Sequence, residues 1–299
     1  MTNVLREWNC ISMNKKVFKY LLLLPSFAGV TVFWVVPFFR LLVSSFFQSQ
    51  RGTFQGFYNY REVLGSQSFR LAAVNTIKFM TFSIPLMLVV SLVLAVFLSE
   101  RTLLNLWLKE GIILPLVLPA AAVSIFCTVI FDHNGFMNLI LKHRIDWLGA
   151  DTAFGVLLFI YAWKYMGIYM LIWLSGIANV PLELRDAAYL DGAGKGQYVR
   201  SILLPNLKQV GFICFVFLFI NSFKVFREIY LITGNYPNQK IYMLQHIFNN
   251  WFADFAMDKM AAGAVLSAGA IMMCLLVVYI FLYGRQRCER HWGKSKKER

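Results

Sequence analysis

The residue types that most often do chemistry do not form a recognisable active site in this chain. The histidines and cysteines are isolated, with no Cys-x-x-Cys pair and none of the spacings that metal sites use. No nucleophile can be matched to a base at a defined spacing. The sequence therefore indicates neither a metal centre nor a disulfide framework nor a hydrolytic site. The residues considered are His133, His143, His246, His291, Cys10, Cys127, Cys214, Cys274 and Cys288.

A glycine-rich stretch at 192–196, Gly-Ala-Gly-Lys-Gly, is a candidate phosphate-binding loop. Such a loop requires a glycine, four further residues and then Gly-Lys-Ser/Thr, after a strand. Here Gly196 follows Lys195, and Tyr189 stands where the first glycine would be. We therefore do not expect the chain to bind ATP through this device.

Polar and charged residues inside apolar runs are the second kind of candidate, because a charge near the bilayer centre costs about 3 kcal/mol and faces a cavity or a partner. The polar residues between positions 221 and 228 form one such cluster, and they supply the hydrogen-bond donors and acceptors that a polyhydroxylated solute requires. Alternatively, Lys224 and Glu228, four residues apart, pair along one helix face. Lys78 and Lys164 lie singly in other apolar runs and are expected to extend towards a membrane surface. The candidates for a solute path are Asn221, Ser222, Lys224, Arg227 and Glu228.

The composition of the chain explains why these charges stand out. Of 299 residues, 59% are hydrophobic and 15% are charged, whereas a soluble domain has roughly 25% charged residues. This number of charged residues is too small to cover the surface of a soluble fold of this size. We therefore predict an all-α membrane protein with six transmembrane helices. The first apolar run is longer than that of a cleaved signal peptide, so we expect it to be retained. The predicted spans are Val17–Phe47, Leu71–Leu98, Gly111–Phe131, Thr152–Ile177, Gln209–Ile232 and Met260–Tyr283.

The basic residues predict the orientation of the spans. An even number of spans places both termini on one side, where the segments carry 17 Lys and Arg residues against 7 on the other side. The positive-inside rule therefore predicts cytoplasmic termini. The net charge of +14 then reflects topology rather than nucleic-acid binding. We divide the chain into a cytoplasmic N-terminal segment (1–16), a transmembrane domain (17–284) and a basic cytoplasmic tail (285–299).

The segment 181–205, between spans 4 and 5, is the most informative cytoplasmic stretch. Pro181 can begin a helix, and Glu183 lies in its first turn, where a carboxylate interacts favourably with the helix dipole. Gly192 can supply the backbone conformation that ends this helix. A second short helix is predicted from Lys195 to Pro205. Two short helices joined by a sharp turn predict a rigid protrusion below the membrane.

The 181–205 segment resembles the EAA loop of ABC-importer permeases, in which Glu-Ala-Ala is followed by a glycine and then by Ile-x-Leu-Pro. The resemblance implies that this segment is a cytoplasmic coupling-helix loop between spans 4 and 5. The matching residues are Asp186-Ala187-Ala188, Gly192 and Ile202-Leu203-Leu204-Pro205. The form Ala-Ala-x-x-Asp-Gly-Ala at 187–193 is similar to the carbohydrate-uptake subfamily, the maltose and glycerol-phosphate type permeases. Further similarities to that subfamily occur in order along the chain, at Asn59-Tyr60, Asn75-Thr76, Pro115, Pro119, Gly135, Asn138, 222–226 and 231–234.

Two departures from the family pattern concern coupling and solute identity. Asp186 replaces the glutamate of the motif, which keeps the charge on a side chain one methylene shorter. The usual Thr-Gly-Gly-Pro after span 5 reads Thr233-Gly234-Asn235-Tyr236-Pro237. The first change retains the charge required for coupling, whereas the second weakens any transfer of a particular sugar from the family.

The resemblance implies a non-catalytic subunit that forms half of the translocation path for a carbohydrate, a di- or oligosaccharide. It implies no cofactor in this chain, because ATP and Mg are bound by separate ABC ATPase subunits. The other implied partners are a second, homologous permease subunit and an extracytoplasmic sugar-binding protein, in a bacterial cell membrane. The residues implied to couple this chain to the ATPase are Glu183, Asp186, Ala187, Ala188, Asp191, Gly192, Ala193, Leu204 and Pro205.

Two other functions fit parts of the sequence. An importer of the same build could carry a non-sugar solute, such as glycerol phosphate or an amino acid. An ion-coupled secondary transporter would also be apolar and polytopic, but such proteins often contain repeated halves, and this sequence shows none. The loops after spans 3 and 5, rich in Asn, Tyr and Trp, are candidate docking surfaces for a partner.

Overall fold

A computed structural model describes residues 15–48, 51–100, 102–149 and 151–297, with their side chains except at 15–19, 224 and 281–297. Within these ranges the fold is helical apart from one isolated β-bridge between Phe47 and Phe54, which confirms the all-α prediction. The helices are α1 (Lys15–Val30), α2 (Val36–Ser44), α3 (Tyr58–Gly65), α4 (Gln67–Phe97), α5 (Leu103–Val117), α6 (Ala120–Phe131), α7 (Phe136–Leu141), α8 (Ala153–Ala178), α9 (Leu182–Leu190), α10 (Lys195–Tyr198), α11 (Leu204–Asn206), α12 (Lys208–Ser222), α13 (Phe226–Thr233), α14 (Leu244–Ala253) and α15 (Met257–Lys297). Short π-helical turns at Thr31–Val35 and Val199–Leu203 and 3-10 turns at Phe223–Val225 and Gln239–Ile241 lie between them.

Six stretches of the described residues are long and apolar enough to cross a membrane, which confirms the predicted number of spans. They are Tyr20–Ser44, Gln67–Phe97, Ala120–Leu141, Ala153–Ala178, Lys208–Thr233 and Met257–Ile280.

The third span differs from its prediction, Gly111–Phe131. Leu118 and Pro119 both adopt extended backbone and separate α5 from α6. A proline disfavours the helical conformation of the residue before it, so Leu118 ends one helix and Pro119 begins the next. The apolar stretch long enough to span therefore begins after this break and runs through α6 and α7.

The chain divides into two compact units, the first of which combines residues up to Val63 with those from Phe255 onwards. In this unit α15 packs on α2. Asn59 Nδ2 donates hydrogen bonds to the carbonyl oxygens of Ser45 (2.9 Å) and Phe47 (3.1 Å). Lys259 Nζ lies 2.6 Å from Glu62 Oε1. Asn59, which the sequence singled out, therefore fixes the chain after span 1.

The second unit, Leu64–Asp254, contains spans 2 to 5. Its central helix is α8, which packs against α4, α5 and α12. Gly167 of α8 is required at the crossing with α5, because a Cβ there would lie 2.6 Å from the backbone oxygen of Ile112 and 2.9 Å from Ile113 Cα. The backbones of α5 and α8 therefore approach as closely as glycine permits.

Two polar residues at the start of span 2 hold the loop that follows span 5. Asn75 Nδ2 donates hydrogen bonds to the carbonyl oxygens of Gln239 (2.5 Å) and Tyr242 (3.0 Å). Thr76 Oγ1 accepts a hydrogen bond from the backbone N–H of Leu244 at 3.1 Å. The Asn-Thr pair that resembles the family therefore has a structural role.

Asn138 plays a similar role in the segments before and after α7. Its Nδ2 donates to the carbonyl oxygens of His133 (2.9 Å) and Ile145 (2.8 Å). Its Oδ1 accepts from the Ile145 N–H at 3.2 Å and from Trp147 Nε1 at 2.9 Å. One buried amide therefore satisfies groups of two non-helical segments.

His246, in the first turn of α14, is fully buried. Its Nδ1 accepts a hydrogen bond from the backbone N–H of Met243 at 3.1 Å, and its ring packs edge-on against Phe226 with centroids 4.6 Å apart. Nε2 is buried and has no hydrogen-bond partner within the described part of the chain. Burial lowers the pKa of His246 from 6.5 to about 4, so this ring is neutral in the folded protein at neutral pH.

We predict that the protein loses stability below pH 6.5 because of His246. Between pH 6.5 and about 4 the unfolded chain binds a proton at this position and the folded chain does not, so protonation favours unfolding. The loss from pH 6.5 to about pH 5 is about 2 kcal/mol. Thermal unfolding of the protein in detergent, at about pH 7.5 and about pH 5, measures this loss.

His246→Asn is the matched variant, because it retains an acceptor for the Met243 N–H but does not titrate in this range. Its midpoint temperature should fall less between the two pH values than that of the unmodified chain. An equal fall in both proteins would assign the acid sensitivity to other groups.

Candidate functional site

The 181–205 segment contains two helical stretches joined by a turn at Gly192, as the sequence predicts. The second stretch differs from the prediction in that a π-helical turn, Val199–Leu203, separates α10 from α11. Pro181 precedes the first turn of α9, and Glu183 lies in that turn. Gly192 has φ +81°, a left-handed conformation that ends the helix, and the Ala193 N–H donates to the Ala188 oxygen at 2.9 Å. The geometry of this turn therefore depends on a residue that tolerates a positive φ.

The second half of the segment is anchored in the bundle by apolar side chains. Leu203 and Leu207 are buried in one cluster that also contains residues of spans 2, 4 and 5. Tyr189 of α9 and Tyr198 of α10 pack together with ring centroids 5.8 Å apart. The second half of the segment is therefore packed against residues of three spans. The other buried members of the cluster are Ala95, Leu98, Met170, Trp173 and Cys214.

The predicted coupling residues form a largely exposed surface. All nine lie within the described residues; Ala188 is buried, Ala193 is half-buried and the other seven are exposed. The Asp186 carboxylate is exposed, with Oδ1 3.4 Å from Nε of the neighbouring Arg185. Leu190, which the sequence did not single out, is 89% exposed at the end of α9. The protrusion therefore presents a carboxylate and an apolar side chain on a rigid support.

An exposed ion pair links this protrusion to the end of span 2. Lys195 Nζ lies 3.1 Å from Glu100 Oε1. Because both side chains are exposed, the pair contributes little to stability. The sequence analysis did not predict this ion pair, because the spacing of residues within one segment does not show which other loop lies beside that segment.

The structure does not place all candidates for a solute path on one surface. Asn221 is half-buried and its Nδ2 donates to the Tyr169 hydroxyl at 3.0 Å. Ser222 is buried, with its hydroxyl donating to the Phe219 oxygen at 2.7 Å. Arg227 is exposed, and the side chain of Lys224 lies outside the described residues.

Glu228 forms a buried ion pair with Lys164 of span 4. The two residues are 2% and 7% exposed, respectively, and the Tyr165 hydroxyl donates to the same carboxylate oxygen at 3.4 Å. The expectation that Lys164 extends to a membrane surface is therefore wrong, because its counter-ion lies on the neighbouring helix. Lys78, in contrast, is exposed, with Nζ 4.8 Å from the centre of the Phe154 ring.

Three relatives show similarity along most of the chain. YurN of Bacillus subtilis, a probable ABC transporter permease, is 28% identical over 275 residues, covering 87% of this chain and 93% of YurN. The arabinooligosaccharides transport system permease AraP of Bacillus subtilis is 27% identical, covering 92% and 90% of the two chains. The trehalose/maltose transport system permease MalF of Thermococcus litoralis is 25% identical, covering 88% and 92%.

Two solved structures share the fold. One is of a bacterial ABC transporter involved in the import of the acidic polysaccharide alginate, with a TM-score of 0.81, 19% identity and coverage of 93% of this chain and 98% of that chain. The other, of a bacterial alginate ABC transporter with an alginate pentasaccharide-bound periplasmic protein, has a TM-score of 0.79, 18% identity and coverage of 91% and 95%.

The relatives confirm the resemblance that the 181–205 segment and its companion motifs indicated. Residues 22–287 match the family described as binding-protein-dependent transport system inner membrane component. Together with the six apolar stretches, this match makes the chain a multi-pass membrane protein. It belongs to the binding-protein-dependent transport system inner membrane component family, which comprises permeases of ABC transporters.

Proposed function

We propose that this chain is the permease subunit of an ATP-driven importer and forms half of the path for a carbohydrate, a di- or oligosaccharide. The names of AraP and MalF support an oligosaccharide or disaccharide as the solute. The single observation that supports coupling to an ATPase most strongly is the exposed protrusion at 181–205, anchored among spans 2, 4 and 5.

The surface of the protrusion has the chemistry of a docking element. Leu190 is an apolar side chain exposed outside the spans, and such a residue loses unfavourable contact with water when a partner covers it. The exposed Asp186 carboxylate beside it selects a partner groove that carries a basic residue. We assign that groove to a separate ABC ATPase subunit, which binds ATP and Mg and performs the hydrolysis.

The remaining partners follow from the same assignment. A second, homologous permease completes the path, and an extracytoplasmic sugar-binding protein delivers the solute to the loops after spans 3 and 5. The family's description and the periplasmic protein bound to the alginate transporter support the last partner. The excess of basic residues on one side supports cytoplasmic termini. The Bacillus subtilis relatives support a location in a bacterial cell membrane.

For the solute path we assign direct contact to Asn221, together with Lys224 and Arg227. Asn221 is half-buried beside the Tyr169 hydroxyl, and the two groups offer an amide and a phenol to a sugar hydroxyl. Ser222 and Glu228 are buried in helix packing, so their contribution to the path is to position the backbone of span 5.

We predict that Gly192→Val uncouples ATP hydrolysis from uptake. A β-branched residue at φ +81° costs roughly 1–2 kcal/mol, so α9 turns differently and Asp186 no longer meets its partner. A free-energy cost of this size lowers the population of docked complexes roughly tenfold, so solute uptake in cells should fall roughly tenfold or more.

Gly192→Asn is the matched control, because asparagine tolerates a positive φ and nothing lies within 4 Å of the added Cβ. It should retain most of the uptake. Unchanged uptake in Gly192→Val would overturn the coupling role of this turn.

We predict that Asn221→Ala weakens solute transport without releasing the ATPase subunit. Loss of one hydrogen bond of about 1.5 kcal/mol raises the KM for uptake roughly tenfold. Asn179→Ala is the control, because that exposed amide, at the end of α8, bonds the Ser175 oxygen of its own helix at 2.9 Å. An unchanged KM in Asn221→Ala would remove this residue from the path.

A further inference from the structure

Two neighbouring short helices each follow a joint in the backbone. Leu118 and Pro119 separate α5 from span 3, and span 5 changes to a 3-10 turn at Phe223–Val225. The helices that follow these joints, α6 and α13, pack closely on each other. We call α6 and α13 the hinged pair. Before the joints, α5 packs on α8, and α12 packs on α4 and α8.

Apolar and aromatic contacts connect the hinged pair to α8. Phe126 of α6 stacks on Trp163 of α8 with centroids 5.0 Å apart. Val123 and Cys127 of α6 belong to one buried cluster with Val156 and Ile160 of α8. Such contacts are individually weak but collectively substantial, so they contribute to holding the hinged pair on α8.

The Lys164–Glu228 ion pair is the charged link between α8 and the hinged pair. Both residues are buried, and Glu228 follows the Phe223–Val225 joint by one helical turn. Glu228 Oε2 is buried and has no hydrogen-bond partner among the described residues. A buried pair with an unsatisfied oxygen has a desolvation cost close to its Coulombic gain, so separation with hydration of both charges is accessible.

We propose that the Lys164–Glu228 pair is a clasp that positions the outer half of span 5. When the pair is closed, the hinged pair is held on α8. When it separates, water hydrates both charges and the hinged pair moves about the joints at 118–119 and 223–225. This proposal goes beyond the assigned function, because it concerns the opening of this end of the bundle rather than the solute or the ATPase.

Two buried cysteines of the chain report on this motion separately. Cys127 lies on α6, close enough to Lys164 and Glu228 to interact electrostatically with both. Cys214 is equally buried, but it lies on α12 in the cluster that holds the 181–205 segment. Opening of the clasp therefore exposes Cys127 and leaves Cys214 protected, whereas general loosening exposes both.

The test measures N-ethylmaleimide labelling of each cysteine by mass spectrometry in membrane vesicles that contain the full chain. Lys164→Met leaves Glu228 buried without a counter-ion and should raise the labelling rate of Cys127 roughly tenfold or more, with Cys214 unchanged. The remaining carboxylate by itself slows the reaction of a nearby thiolate, so a rise reports exposure of Cys127. The exchange Lys164→Glu with Glu228→Lys should return the Cys127 rate to about that of the unmodified chain. Lys78→Met is the matched control, since Lys78 is a span lysine outside the clasp, and it should change neither rate.

Three results would overturn the clasp. The first is an unchanged Cys127 rate in Lys164→Met, and the second is a parallel rise at Cys127 and Cys214, which would show general destabilisation. If the exchanged pair does not reach the membrane, Lys164→Met with Glu228→Met replaces it by apolar side chains that keep the helices packed. A Cys127 rate in that variant as high as in Lys164→Met alone is the third contradicting result. None of these outcomes depends on ATP or solute, so failure of the clasp is distinguishable from failure of the assigned function.

Discussion

The absence of water around the spans is the constraint on which the rest of the structure depends. In hydrocarbon an unsatisfied polar group costs several kcal/mol, which favours a partner within the protein for a buried polar side chain. Asn75 and Asn138 meet this requirement by binding carbonyl groups of loops, and Glu228 meets it by pairing with Lys164. These contacts fix which loops and helices lie together, because an apolar side chain in their place would leave the loop carbonyls unpaired.

The two ends of the second unit are built from different interactions. The end that carries the 181–205 segment is held by Leu203, Leu207 and Trp173 in an apolar cluster. The region of the hinged pair contains the two joints and an incompletely satisfied ion pair. For the importer that we propose, the first end would transmit the force of ATP-driven closure, and the ion pair would separate when the path opens.

Features local in sequence could be predicted, and features that depend on two distant segments could not. The apolar composition predicts the approximate extent of five spans. The placement of proline and glycine predicts the helical stretches of the 181–205 segment and the positive φ of Gly192. Pro115 and Pro119 both lay within the predicted third span, and the sequence did not show which would break it. The pairing of Lys164 with Glu228 joins residues 64 positions apart, which helical periodicity cannot indicate.

We propose that this chain works in a complex with an ATPase that docks on the 181–205 segment. Extraction of the tagged chain in mild detergent, followed by identification of the proteins that co-purify, is the most direct test of this complex. We expect recovery of an ATP-binding subunit and of a second six-span protein, with the ATP-binding subunit lost from the variant that combines Asp186→Arg with Gly192→Val. Recovery of the chain without such subunits, still moving solute into vesicles in the absence of ATP, would overturn the proposed complex.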